Sequence, residues 1–394
     1  MARIAAAGLA TLVVLGLGAC GSSDPGSSEA GPRPAASWER LPDPPLSPRV
    51  AGLALWTGEE ALVLGGSDAD PCPANASCVA PREPPLRDGA AFDPERRTWS
   101  RIAPAPVGFS FAEGVLVGET AYLMTDGEPG RPRAPRAFLA YRYGEDRWEE
   151  LPLPPGDGDR SIVAAGERVV AYSGSDESGE APDLIFDPAA GEWSELPDDP
   201  LPRSSGRTTA WSGRELVLFA HELVPQPGSE EPSLVIAAAL DLDNGEWRRL
   251  PDSEILGSGA RWFELDGRLV LPALGGADGG EVGNWGRTYP SGGVLDPQRG
   301  EWTDLPDASG EEFSAGILGA SDADYFGHRG AILDATANEW LEIPPLDGED
   351  TTDRVVVAAG LEMLVVGGVR WDGSGFRSDL LDEAWSWAPR VEEP

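Results

Sequence analysis

Seven tryptophans of the 394-residue chain sit in one local context: Trp38 (WERLP), Trp99 (WSRIAP), Trp148 (WEELP), Trp193 (WSELP), Trp247 (WRRLP), Trp302 (WTDLP) and Trp340 (WLEIP). Recurrence every 38 to 61 residues means copies of one supersecondary unit stacked on each other, since a single copy cannot bury its own apolar face. Six residues before the Trp stands Asp93, Asp187, Asp241, Asp296 or Asp334, and two before it Gly191, Gly245, Gly300 or Asn338. This spacing predicts a hairpin. The Asp opens a type I turn, the Gly or Asn takes the left-handed closing position, and the Trp leads the returning strand. Upstream lie two apolar runs joined by a short turn, as in AGLALWTGEEALVLGG and VVVAAGLEMLVVGG. The turn Gly recurs at Gly58, Gly118, Gly166, Gly213, Gly267, Gly319 and Gly360. Seven units of four short strands follow.

Composition agrees. Gly 50 and Pro 38 favour many turns and no long helices, and 41% hydrophobic residues suffice for a core. The net charge is −37 and all 30 basic residues are Arg. Nucleic acid is excluded as a partner, because no cationic surface exists to displace phosphate counterions. Loose adsorption to anionic lipid is disfavoured too.

The order of strand, Gly turn, strand, Gly-Gly, variable loop, Asp-Pro turn and Trp resembles the kelch repeat. Gly65-Gly66, Gly275-Gly276 and Gly367-Gly368 match its double glycine; Phe92-Asp93-Pro94, Phe186-Asp187-Pro188 and Leu295-Asp296-Pro297 match its third-strand end. Thr125-Asp126-Gly127, Ala220-His221 and Gly327-His328 replace the glycines in degenerate copies. The resemblance implies an all-β, seven-bladed β-propeller of four-stranded antiparallel blades over residues 38–394. The chain opens on an orphan Trp38 strand and ends on DLLDEAWSWAP, a third strand without a fourth. Trp38–Leu41 is therefore expected to pair with the strand around Trp385–Trp387 and complete the last blade, leaving no open edge. Kelch propellers serve unrelated tasks, so the fold alone names no function.

Residues 1–19 read as a secretory signal: Arg3, then an apolar run from Ile4 to Leu17, then small residues. Leu17-Gly18-Ala19-Cys20 resembles a bacterial lipobox, which implies lipidation at Cys20 and anchoring on the extracytoplasmic face of the cell membrane. Residues 20–37 are small, polar and Pro-rich, a tether. The membrane is expected to be met only through that lipid. Cys72 and Cys78, with five residues between them in PCPANASC, predict a local disulfide in an exported protein.

One column stands out for chemistry. Six residues before the turn Gly stand Arg160, Arg207, Arg261 and Arg354; Ala112, Phe313 and Gly52 fill the other copies, with Arg49 close to Gly52. Repeat-related positions share one height in a ring, so these guanidiniums are expected at one axial mouth. Their planar forks suit carboxylate, sulfate or phosphate. The opposite reading pairs each Arg with an Asp or Glu of the next blade. Trp285 and Tyr289 (beside Arg287), and Trp371 (between Arg370 and Phe376), sit on Gly-rich loops where aromatics can stack on sugars or partner side chains. His221 and His328 are the only histidines and lie in different units, so neither a metal nor any other cofactor is expected. Copper-radical chemistry, known on this fold, lacks its ligands here. The expected function is a monomeric binding module for an anionic small molecule or glycan, or for a protein partner. The enzymatic alternative is an epimerase or mutarotase of an acidic sugar such as sialic acid, for which the sequence offers no assignable base.

Overall fold

The computed structural model describes residues 37–388 apart from 74–75, 77, 79–82, 129–130, 157–158, 176–181, 225–230, 258–260, 281–282, 307–313, 319–329, 335–338, 345, 347–350, 361 and 373–377. Cys20, Phe313, Gly319, His328, Asn338 and Phe376 lie outside the described residues. Among those described, the chain is all-β apart from one short 3-10 turn, Tyr143–Glu145.

Each unit folds as a sheet whose strands follow chain order. Sheet 1 is Leu53–Trp56, Ala61–Leu64, Gly89–Asp93 and Thr98–Arg101. Sheet 2 is Glu113–Val117, Thr120–Glu128, Arg131–Arg142 and Arg147–Leu151. Sheet 3 is Ser161–Ala165, Arg168–Tyr172, Leu184–Asp187 and Glu192–Glu195. Sheet 4 is Ser204–Trp211, Leu216–Glu222, Val235–Asp241 and Glu246–Arg249, and sheet 5 is Phe263–Leu265, Arg268–Leu271, Gly293–Asp296 and Glu301–Thr303. All of these pair antiparallel. The final sheet, sheet 7, is Val355–Ala359, Glu362–Val366, Ala384–Trp387 and, from the other end of the chain, Glu39–Arg40. Glu39 faces Ser386 and Arg40 faces Trp385, the pairing expected from the orphan strand.

The local signals act as anticipated. Gly191, Gly245 and Gly300 have φ near +70°, and their N–H groups donate to the carbonyls of Asp187, Asp241 and Asp296 at 2.8–2.9 Å. Where the Gly is missing, Arg97 (φ +55°) and Asp146 (φ +50°) adopt the same left-handed turn. Arg97 then reaches Glu39 (2.8 Å) and Glu362 (2.6 Å), tying sheet 1 to sheet 7.

Each repeat tryptophan joins its sheet to the one before. Its indole N–H donates to the carbonyl four residues beyond the preceding repeat tryptophan: Trp99 to Pro42, Trp148 to Ala103, Trp193 to Pro152, Trp247 to Pro197, Trp302 to Pro251, all at 2.8 Å, and Trp340 to Pro306 at 2.9 Å. The series returns to its start, because Trp38 donates to Pro344 at 2.7 Å. The apolar clusters follow the same succession. Leu55, Leu62 and Leu64 of sheet 1 pack on Leu123 and Leu139 of sheet 2. Val217 and Phe219 of sheet 4 pack on Leu269 and Leu271 of sheet 5. Val357 and Leu364 of sheet 7 pack on Val63 and Phe92 of sheet 1. Burying each such side chain stabilises by about 1.5–3 kcal/mol.

Sheet 6 departs from the four-stranded antiparallel expectation. Its described strands are Ser314–Leu318, Gly330–Asp334 and Glu339–Ile343, and the first two pair in parallel. In a meander the first and third strands run the same way. Two smaller sheets fill variable loops: Gly276–Ala277 with Tyr289–Pro290, and Thr351–Thr352 with Val369–Trp371 and Ser378–Leu380.

Candidate functional site

The first strands of sheets 1, 2, 3, 4, 5 and 7 each form a sheet edge, and together they wall one cavity of about 730 Å³. An edge strand carries a row of backbone N–H and C=O groups not committed to the ladder, so this wall offers hydrogen-bonding groups whatever the side chains. Contacts run from the first strand of sheet 7 to that of sheet 1, then to sheets 2, 3, 4 and 5. Six repeat-related edges therefore bound the same space.

The arginine column does not act as one ring. Arg261 and Arg354 line the cavity. Arg261 is exposed and lies over the Phe263 ring at 5.9 Å. Arg354 is half-buried and reaches Glu383 at 3.3 Å. Arg207 is buried between Asp183 and Asp199, at 3.0 Å from each. Arg49, 1% exposed, forks onto Asp88 and donates to Gly65 and Ser47 carbonyls. Arg160, 7% exposed, donates to the Pro182 carbonyl at 2.8 Å. Burial pushes the Arg160 guanidinium down from its ordinary range, partly offset by Asp183, with Arg136 adding repulsion. Burial also raises Asp183 above the usual carboxylate range, with Arg207 pulling the other way. Arg49, Arg207 and Arg354 are thus paired with acids, as the opposite reading has it, but those acids belong to their own or the preceding unit and not to the next blade.

The loop aromatics lie elsewhere. Trp285 and Tyr289 meet edge to face at 5.9 Å, and Arg287 stacks on Tyr289 at 4.3 Å while pairing with Glu254. Trp371 donates to Thr352 Oγ1 at 3.1 Å across its small sheet. Neither group lines the cavity. Cys72 and Cys78 are joined by a disulfide, as expected. His221 contacts the Leu256 carbonyl at 2.6 Å through Nε2, and a Cβ on Gly206 would stand 2.6 Å from its Nδ1. It fills a gap between strands.

A polar stretch of the wall escaped sequence reasoning. Five residues before the turn Gly stand Glu113, Ser161 and Thr208 in consecutive sheets, all lining the cavity. Glu113 accepts from Ser161 Oγ at 2.8 Å and from the Ile162 N–H at 2.9 Å. Tyr172 shares a 3.3 Å hydrogen bond with Thr208 Oγ1, and burial raises its phenol above the ordinary tyrosine range. The same level in sheets 1, 5 and 7 holds Leu53, Trp262 and Val355. At this level the wall is polar in sheets 2, 3 and 4 and apolar in sheets 1, 5 and 7, with Arg261 and Arg354 one residue earlier in sheets 5 and 7. Aligning the seven turn glycines exposes this row in the sequence, but Glu, Ser and Thr are too common to single it out. No protein-family model matches the chain, and no curated protein matches it.

Proposed function

We propose that the protein is a seven-bladed β-propeller, closed by its N-terminal strand, whose axial cavity binds an anionic small molecule or glycan. Support for the closed ring comes from the seven indole hydrogen bonds that return to Trp38 and from the packing of sheet 7 on sheet 1. A kelch-like origin accounts for the Gly-Gly and Asp-Pro signals. In this reading residues 1–19 are a signal peptide, and lipid on Cys20 holds the propeller outside the membrane on the 20–37 tether. The observation that carries the binding role is the cavity of about 730 Å³ with Arg261 in its wall, a guanidinium whose fork matches a carboxylate, while Arg354 in the same wall pairs with Glu383.

A carboxylate-bearing pyranose suits a wall that sets Arg261 beside Trp262 and also carries Ser161 and Thr208. Calorimetric titration with galacturonate, against galactose, tests this. We expect galacturonate to bind and Arg261→Ala to weaken it about tenfold, the scale of one charge-assisted contact. Equal response to both sugars, or none, refutes the reading. The epimerase or mutarotase alternative gains one observation, the Glu113 carboxylate in the wall beside Ser161. Its signature, lost in Glu113→Gln, is proton exchange at a sugar carbon in deuterated water for an epimerase, or faster interconversion of the two anomers by NMR, with no exchange at carbon, for a mutarotase.

A further inference from the structure

Seven residues before the turn Gly, the backbone turns left-handed in four sheets: Ala51 (φ +55°), Phe111 (φ +54°), Gly206 (φ +57°) and Asp353 (φ +56°). Ala51, Phe111 and Asp353 stand just ahead of a first strand of the cavity wall, and Gly206 sits at an irregularity within the first strand of sheet 4. Ala, Gly and Asp adopt this conformation in three of the four, and the equivalent Asp159 of sheet 3 does without it. A bulky aromatic is a rare occupant of this region. Phe111 gains no burial in return. It is 75% exposed, the most exposed large apolar side chain among the described residues. Two residues earlier, Phe109 is 2% exposed and packs against Gly65, where a Cβ would stand 2.4 Å from its ring. One phenylalanine of this segment is core and the other is not.

Phe111 is anchored at the rim. Its N–H donates to the Ala51 carbonyl at 3.0 Å, and the next residues of both segments, Ala112 and Gly52, line the cavity. Gly52 in turn abuts Val355, with a Cβ there 3.2 Å from Val355 Cγ2, directly after Arg354. Along the rim the order is therefore Phe111, Ala51-Gly52, Arg354-Val355. Strain held at a site without packing benefit marks function. We infer that Phe111 is a stacking platform at the cavity mouth, which takes the C–H face of a sugar ring whose carboxylate is held by the rim arginines. This rests on the binding role proposed above.

The test compares Phe111→Gly and Phe111→Tyr with the native protein, using galacturonate and the ring-free anion succinate as probes. Phe111→Gly is expected to keep or raise Tm, because glycine relieves the left-handed strain, and to weaken galacturonate at least tenfold with succinate changed less than twofold. Phe111→Tyr should hold galacturonate within about threefold. Unchanged galacturonate affinity in Phe111→Gly overturns this inference alone. A Tm loss above about 5 °C, or equal loss of both probes, overturns it too, since the ring then supports the fold. No galacturonate binding by the native protein refutes this inference and the binding role together.

Discussion

Replacing Trp38 by phenylalanine probes the join between the two ends of the chain. Trp38 is half-buried and packs against Ile343, Met363 and Trp387. Its indole N–H donates to the Pro344 carbonyl, 306 residues away, at 2.7 Å. Phenylalanine keeps an aromatic ring but removes the donor, a net loss of about 1 kcal/mol. The smaller ring also gives up on the order of 40 Å² of buried apolar surface, about 1 kcal/mol at ~25 cal/mol/Å². The expected cost is about 2 kcal/mol. Trp193→Phe is the internal reference: it loses the 2.8 Å bond to Pro152 and keeps its ring beside Phe138 and Phe186. Urea unfolding at constant m measures both. If the ends are latched, the two variants fall by similar amounts despite their different sequence distances. A change below about 0.3 kcal/mol for Trp38→Phe, with Trp193→Phe at full cost, refutes the latch, since an unpaired terminal strand has no such bond to lose.

Two further outcomes follow from the packing. Arg207→Leu leaves Asp183 and Asp199 buried without their shared cation, and should cost about 3–5 kcal/mol at pH 7. Asp183 already binds its proton more tightly in the folded protein than in the unfolded chain. Acidification from neutral pH toward the aspartate range therefore favours the folded variant, and its deficit should shrink in urea titrations at lower pH; a deficit that grows on acidification contradicts this assignment. Gly367→Ala and Gly58→Ala separate strain from collision. Both glycines have positive φ, but a Cβ at Gly58 meets nothing within 4 Å whereas one at Gly367 would stand 2.6 Å from the Arg49 carbonyl. Gly58→Ala should cost about 1 kcal/mol and Gly367→Ala more than about 2 kcal/mol; equal Tm losses would show that the close approach is not maintained in solution.

The burial of Arg49 and Arg207 changes how the acidic composition reads. With 67 Asp and Glu against 30 Arg, a carboxylate is within reach of almost any guanidinium that a sheet presents. Glu383 shows the consequence, accepting from Arg40, Arg354 and Arg370. Arg354 thus serves both the wall and this acidic hub.

The strand count of each regular unit, the Asp–Gly hairpins, the disulfide and the pairing of Trp38–Leu41 with the terminal strand were legible in the sequence. Each rests on residues a few positions apart, or on a missing fourth strand that only the other end could supply, and short-range turn chemistry does not depend on the surroundings. The cavity's furnishing was decided by tertiary structure. Arg207 and Arg261 occupy the same repeat position, yet one is locked between two aspartates of its neighbourhood and the other stands exposed at the cavity. The parallel pair in sheet 6, the Glu113–Ser161 contact and the left-handed Phe111 likewise turn on which groups distant strands bring within a few ångströms. A repeat column assigns residues a common height, and the partner each side chain finds there is set by the neighbouring sheet.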